Sequence, residues 1–122
     1  MKKKYKRVFS INNDLGLRNY TVRDIINLKG KQKFTQVRVT TVEGAAAAEE
    51  AGIDLLLTGP GKDFPNIRKA ASKTFMTVGV PFIENPSKRE ATKKAFEIIE
   101  AGADSLMLSL IHIWRCRRIL RC

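Results

Sequence analysis

The sequence predicts an α/β fold built on a parallel sheet, on two observations. Glu49-Glu50-Ala51-Gly52-Ile53-Asp54-Leu55-Leu56-Leu57 is echoed fifty residues later by Ile99-Glu100-Ala101-Gly102-Ala103-Asp104-Ser105-Leu106-Met107-Leu108. Each copy reads as the last turn of a helix, a glycine that ends it, and a short apolar strand. Glycine suits the position after a helix because it enters the left-handed region without a Cβ clash. The second observation is that short, unbroken apolar runs alternate with helical patterns. Such runs fit strands buried on both faces, and the alternation fits parallel βα units.

The elements follow in order. Residues 1–20 are polar, with Asn12-Asn13-Asp14 and Gly16 as turn material, and read as a basic, irregular N-terminal segment. Thr21 is placed to cap a short helix from Val22 to Lys29, stopped by Gly30. Lys33 to Val39 reads as the first strand. Thr41 caps a second helix, Val42 to Ala51, whose Ala45-Ala46-Ala47-Ala48 run is thin enough to lie close on a sheet. Ile53 to Thr58 is the second strand, followed by the turn Gly59-Pro60-Gly61. A helix is expected over Pro65 to Ser72, then a strand from Phe75 to Val80, ended by Pro81. Ser87-Lys88-Arg89-Glu90 is a capping box, and Ala91, Ala95, Ile98 and Ile99 form the apolar stripe of the helix it opens. Ala103 to Leu108 begins a fourth strand.

At 122 residues the chain is one domain at most. No apolar run approaches the roughly 18 residues that a membrane helix needs. The start is basic but no apolar signal core follows, so a cytoplasmic protein is expected. The net charge of +11 is unevenly placed: five bases lie in residues 2–7 and four in residues 109–122, leaving 14 bases against the 12 acids between them. Bases do not interleave with aromatic residues, so nucleic-acid binding is not expected. The only His (His112), the only Trp (Trp114) and both Cys (Cys116, Cys122) fall in the last eleven residues. His112, Cys116 and Cys122 would give a metal three ligands on a terminus with nothing to hold them, so neither a zinc site nor a disulfide is expected there.

A run of βα units of this kind builds either a doubly wound sheet or part of a (β/α)8 barrel. A whole barrel needs about 250 residues, so a barrel reading makes this chain half of one. Four strands without a closing partner would leave open edges, marginal folding and a tendency to aggregate.

Thr21-Val22-Arg23-Asp24-Ile25-Ile26-Asn27-Leu28-Lys29-Gly30-Lys31, the Ala48–Leu57 stretch, Val80-Pro81-Phe82 and Ala101-Gly102-Ala103-Asp104 stand in an order that resembles the ketopantoate hydroxymethyltransferases. The likeness covers roughly residues 21–107, the N-terminal part of a family member. It implies a partial TIM-type barrel of the phosphoenolpyruvate/pyruvate-binding group over 21–107. It also implies hydroxymethyl transfer from methylenetetrahydrofolate to the keto acid α-ketoisovalerate, in pantothenate biosynthesis, by homo-oligomeric full-length enzymes. The family holds Mg²⁺ with two Asp carboxylates at strand ends, and the metal polarises the keto acid.

The chain departs from that pattern. The positions of the two metal ligands are Pro60 and Gly79, the family's strand-four Lys falls at Met107, and its following Glu falls near Ser109. No catalytic residue, metal ligand or cofactor is therefore assigned on residues of this chain. Gly59 and Gly61 are assigned to substrate binding by position alone. Asp63 and Glu84, in the loops after strands two and three on the correct face, are candidates for a metal but read as solvated loop carboxylates. Asp54 and Asp104 stand at strand starts and read as scaffold. Lys62 could meet an anion, but its turn lacks the Gly-Lys-Ser/Thr context of a phosphate loop.

Residues 108–122 are expected to be non-native. Leu108 to Arg118 resembles the translation of a transposon-end sequencing adapter, with UGA read as Trp at Trp114. The resulting expectation is a divergent, inactive fragment. The alternatives are a non-catalytic or changed-chemistry paralogue on the same barrel, and a related phosphoenolpyruvate/pyruvate-barrel lyase.

Overall fold

The computed structural model describes residues 5–81 and 87–108. Glu84, His112, Cys116, Cys122 and the tail from Ser109 onward lie outside the described residues. Four parallel strands form one sheet: β3 (Gln36–Arg38), β4 (Leu55–Thr58), β5 (Phe75–Gly79) and β6 (Ser105–Met107), in the spatial order β3-β4-β5-β6. Between them run α2 (Val42–Glu50), α3 (Phe64–Ala70) and α4 (Lys88–Glu100). Spatial order equals chain order. A doubly wound sheet requires a reversal of that order, and none occurs among the described strands. The architecture is α/β with a parallel sheet, compatible with part of a TIM-type barrel.

The two copies of the echoed motif fold alike. Gly52 and Gly102 both take positive φ, 79° and 109°, and each leads through one Asp into a strand. Thr41 accepts from the Gly44 N–H to cap α2, and Ser87 and Glu90 complete the capping box of α4. In α1 (Val22–Leu28) the cap is also reciprocal, Thr21 with Asp24. These local signals are all sequence-encoded because each cap needs only residues three positions apart.

Parallel register places laterally paired residues on the same face of the sheet. Leu56 pairs with Met76, and Thr58 with Val78 and, one strand on, Leu106. Leu56, Met76 and Val78 are wholly buried, against Ala45, Ala48, Phe64, Ile67, Ala71 and Ile98 of the helices. Each such side chain contributes about 1.5–3 kcal/mol on burial, so this face holds the unit together. The opposite face carries Arg38, Leu57, Thr77 and Ser105 in one lateral row. Arg38 is exposed and the other three are half-buried.

Residues 6–18 differ from the sequence expectation. They are not irregular: β1 (Lys6–Phe9) and β2 (Leu15–Arg18) pair antiparallel, Lys6 opposite Arg18 and Phe9 opposite Leu15. The turn is closed by Ser10, whose Oγ accepts from the Asp14 N–H and whose carbonyl accepts from the Asn13 N–H. Asn13 takes φ 65°, a left-handed conformation that Asn tolerates. With five residues between the strands and alternation broken by Gly16, the hairpin lacks the two-residue turn signature that marks one in sequence.

Nor does the domain begin at residue 21. Arg18, Asn19 and Tyr20 bind the N-terminal ends of the parallel strands. The Asn19 N–H donates to the Lys73 carbonyl, its Nδ2 donates to the Asp54 carbonyl, and its Oδ1 accepts from the Phe75 N–H. The Tyr20 hydroxyl donates to Asp54 Oδ1, and its ring meets Phe34 edge-on at 5.2 Å. The first parallel strand is also shorter than expected. Thr35 bonds the Asp54 carboxylate through its N–H and hydroxyl, at 3.0 and 2.9 Å, so the regular ladder starts one residue later.

Candidate functional site

In parallel α/β sheets, binding sites form at the carboxyl ends of the strands. That end here is defined by the helix-free row and the residues above it. Thr77 and Ser105 stand on adjacent strands, and their hydroxyls are 2.6 Å apart. One of the two hydroxyls donates to the other, so one O–H remains free to donate outward. Arg38 shares their row and has no hydrogen-bond or ion-pair partner among the described residues.

Above that row the chain is nearly bare. Gly79 pairs with Met107 and follows Thr77 by two residues, so the two share a face. A Cβ at Gly79 would meet Met107 Cε at 3.6 Å, an ordinary contact, and a Cβ at Gly59 or Gly61 would meet nothing within 4 Å. Side chains larger than hydrogen would fit; the sequence supplies none. Gly59 follows the half-buried Leu57 by two residues at the end of β4. Gly61 instead helps line a shallow 180 Å³ cleft on the helix side, with Pro60, Lys62, Phe64, Lys94 and Glu97. The two glycines that the sequence groups together thus border different spaces.

The donor set does not fit a divalent cation held by strand-end carboxylates. Pro60 and Gly79 carry no side-chain ligand atom, and Met107 offers only an exposed thioether end. Asp63 sits exposed at the N-cap of α3 and makes no side-chain cap bond. Among the described residues, no three of the His, Cys, Asp and Glu side chains gather closely enough for a metal.

The strong electrostatics lie at the other end of the sheet. Asp104 receives Arg18 Nε at 2.8 and 2.9 Å, Arg68 Nη1 at 3.0 Å and the Met76 N–H at 2.9 Å. Arg68 also donates to the Ala71 and Thr74 carbonyls. Burial, the largest cause, and the neighbouring Arg18 together hold the Arg68 pKa down at about 10, with Asp104 opposing both. It remains charged at neutral pH. Glu49 accepts from the Lys73 and Thr74 N–H groups and the Thr74 hydroxyl, which completes this lower layer. Asp54 and Asp104 are therefore scaffold, as their place at the strand starts predicts.

The sequence reading missed Arg18 and Arg68. For Arg68 a signal exists: Phe64, Ile67, Arg68 and Ala71 occupy one helical face, and an arginine in an apolar stripe needs a buried partner. For Arg18 there is none, because its partner is 86 positions away. A 440 Å³ cleft beside this layer is lined by Phe9, Ile11, Leu15, Val22, Phe75 and Ile99, among others. It lies under the hairpin at the amino ends of the strands, away from the bare rim.

The chain is similar to 3-methyl-2-oxobutanoate hydroxymethyltransferases. It is 31% identical over 108 residues to the one from Kosmotoga olearia, an alignment that covers 71% of this chain and 40% of that protein. Against the one from Thermococcus kodakarensis it is 27% identical over 113 residues, covering 75% of this chain and 40% of the relative. Against that of Thermotoga neapolitana it is 25% identical over 108 residues, covering 71% and 40%. The chain thus spans about two fifths of the length of the curated relatives it matches. No family model matches the chain, and no solved structure matches it significantly.

Proposed function

We infer that the chain is the N-terminal part of a divergent (β/α)8 barrel related to the 3-methyl-2-oxobutanoate hydroxymethyltransferases, and that it has left the metal-dependent chemistry of strand-end carboxylates. The observation that carries this reading is the bare rim. The chain keeps consecutive parallel βα units, as the resemblance expects, yet Pro60 and Gly79 stand where that resemblance expects both carboxylates. A carbanion next to a carbonyl needs its developing negative charge stabilised, and among the described residues no group of carboxylates gathers to hold the cation that would do so. The 122-residue chain accordingly transfers no hydroxymethyl group from methylenetetrahydrofolate to α-ketoisovalerate.

No helix among the described residues is long and apolar enough to cross a membrane. Calorimetric titration of the chain with Mg²⁺, with and without α-ketoisovalerate, tests the reading. No saturable Mg²⁺ heat is expected in either case. A saturable Mg²⁺ isotherm strengthened by α-ketoisovalerate would overturn it.

A further inference from the structure

We propose that Arg38, together with the Thr77–Ser105 hydroxyl pair, forms a metal-independent subsite for the anionic oxygen group of a small ligand. The subsite deepens the reading of the chain as part of a barrel whose strand-end positions 60 and 79 lack carboxylates, and rests on it.

The lateral row supplies the geometry. Arg38, Leu57, Thr77 and Ser105 are consecutive partners across β3, β4, β5 and β6. Adjacent strands lie about 4.8 Å apart, so Arg38 and Thr77 are separated by about 10 Å at the backbone. An extended arginine side chain is long enough to cover much of that distance past Leu57. A guanidinium reaching along the row from Arg38 and an O–H from the hydroxyl pair would together grip one carboxylate or phosphate group.

The electrostatics make that space selective. Arg38 presents up to five N–H donors and no acceptor, in a planar fork matched to an oxyanion. The hydroxyl pair adds one outward O–H, since its 2.6 Å contact uses only one of its two protons. No described carboxylate pairs with Arg38 or with either hydroxyl. Arg68, by contrast, is neutralised by Asp104 at 3.0 Å. In a closed barrel the helix-free face is the interior, where an unpaired guanidinium is strongly disfavoured and an anion offsets the penalty. Gly59 and Gly79 place no side chain of their own over the row, and the Met107 side chain reaches beside Gly79, its Cε 3.6 Å from where a Cβ would stand.

A carboxylate and a phosphate ester share this chemistry, and the test separates them. The isotopically labelled 122-residue chain is titrated at low ionic strength, in the presence of a chelator, with sodium acetate and separately with inorganic phosphate. Amide shifts are followed at Thr77, Gly79 and Ser105. Saturable shifts at these three amides are expected with at least one anion. Arg38→Gln should weaken binding by about tenfold or more and Thr77→Val by about threefold, with the far-ultraviolet circular dichroism of both variants unchanged. Arg23→Gln, on the exposed side of α1, should bind as the parent does. Saturation by acetate alone marks a carboxylate ligand, and saturation by phosphate alone a phosphate ester. Shifts that also grow with sodium chloride, persist in Arg38→Gln or fail to saturate with both anions overturn the proposal. Binding that appears only when Mg²⁺ replaces the chelator overturns the subsite and the reading it rests on together, whereas chelator-insensitive binding separates the two.

Discussion

Replacing Asp104 with alanine should nearly unfold this protein, although Asp104 is far from the rim where chemistry would occur. The substitution removes the acceptor for Arg18 Nε, Arg68 Nη1 and the Met76 N–H. The Arg18 and Arg68 side chains are only 13% and 9% exposed, so both guanidinium groups would be left poorly solvated with less neutralising charge. Breaking a buried ion pair from one side costs about 3–5 kcal/mol. An orphaned buried N–H costs about 1–3 kcal/mol, but the two losses share one site and do not add in full. We take about 4 kcal/mol, against a total stability of about 5–15 kcal/mol for a domain. Urea unfolding followed by circular dichroism reads this directly. With a slope of about 2 kcal/mol per molar, the midpoint should fall by about 2 M. Asp63→Asn, which alters an exposed and uncapped carboxylate, should move it by less than about 0.25 M. A midpoint for Asp104→Ala within about 0.5 M of the parent would show that Arg18 and Arg68 are adequately solvated without it, and the account of the lower layer would be wrong.

Two other perturbations test neighbouring claims. At Gly102, φ is 109° and an added Cβ would lie 3.2 and 3.3 Å from Arg68 Cγ and Cδ. Gly102→Ala should therefore cost about 2–3 kcal/mol, whereas Gly30→Ala, at φ 77° with open space around it, should cost about 1 kcal/mol from backbone strain alone; equal urea midpoints for the two variants would remove Arg68 from the explanation. The Lys6 ammonium, followed by the Thr21 N–H, holds the Asp24 carboxyl at about 2, below its ordinary 3.8. A folded-state pKa below the unfolded one gives stability that is complete above about pH 4 and is lost as pH falls toward 2. Because Lys6 is 46% exposed, the contribution is discounted to about 1 kcal/mol. Lys6→Met should flatten the loss of stability between pH 4 and pH 2 in urea titrations at each pH, and parallel pH profiles for parent and variant would count against the pair.

The four parallel strands and their helices were legible because each rests on local chemistry. Thr21, Thr41 and Ser87 cap helices through partners three positions away, and Gly52 and Gly102 end helices through their own φ. Of the apolar stripe Ala91, Ala95, Ile98 and Ile99, the first three lie on the core, while the half-buried Ile99 lines the cleft under the hairpin. The hairpin was not legible. Its exposed Phe9 and Leu15 give no clean alternation, and its purpose, to deliver Arg18, Asn19 and Tyr20 to the strand starts, involves contacts 34 to 86 positions away. At the rim the sequence showed that positions 60 and 79, where the resemblance expects carboxylates, hold Pro60 and Gly79. It could not show that Arg38, Thr77 and Ser105 share a row, because lateral register depends on how three strands align.

The sequence by itself determined the order of the parallel strands and their helices, the helix caps, and that positions 60 and 79 hold Pro60 and Gly79, since these are properties of residue type and short-range spacing. Tertiary structure alone decided three further points. Residues 6–20 of the N-terminal segment are a structural part of the sheet's lower edge. The aspartates of the echoed motif serve different partners, Thr35 and Tyr20 for Asp54, Arg18 and Arg68 for Asp104. An arginine and two hydroxyls line up on the face that the helices leave open. The physical reason is the same in each case: which distant groups become neighbours is set by strand register and packing, and those are fixed only when the whole chain minimises its buried charge and exposed apolar surface together.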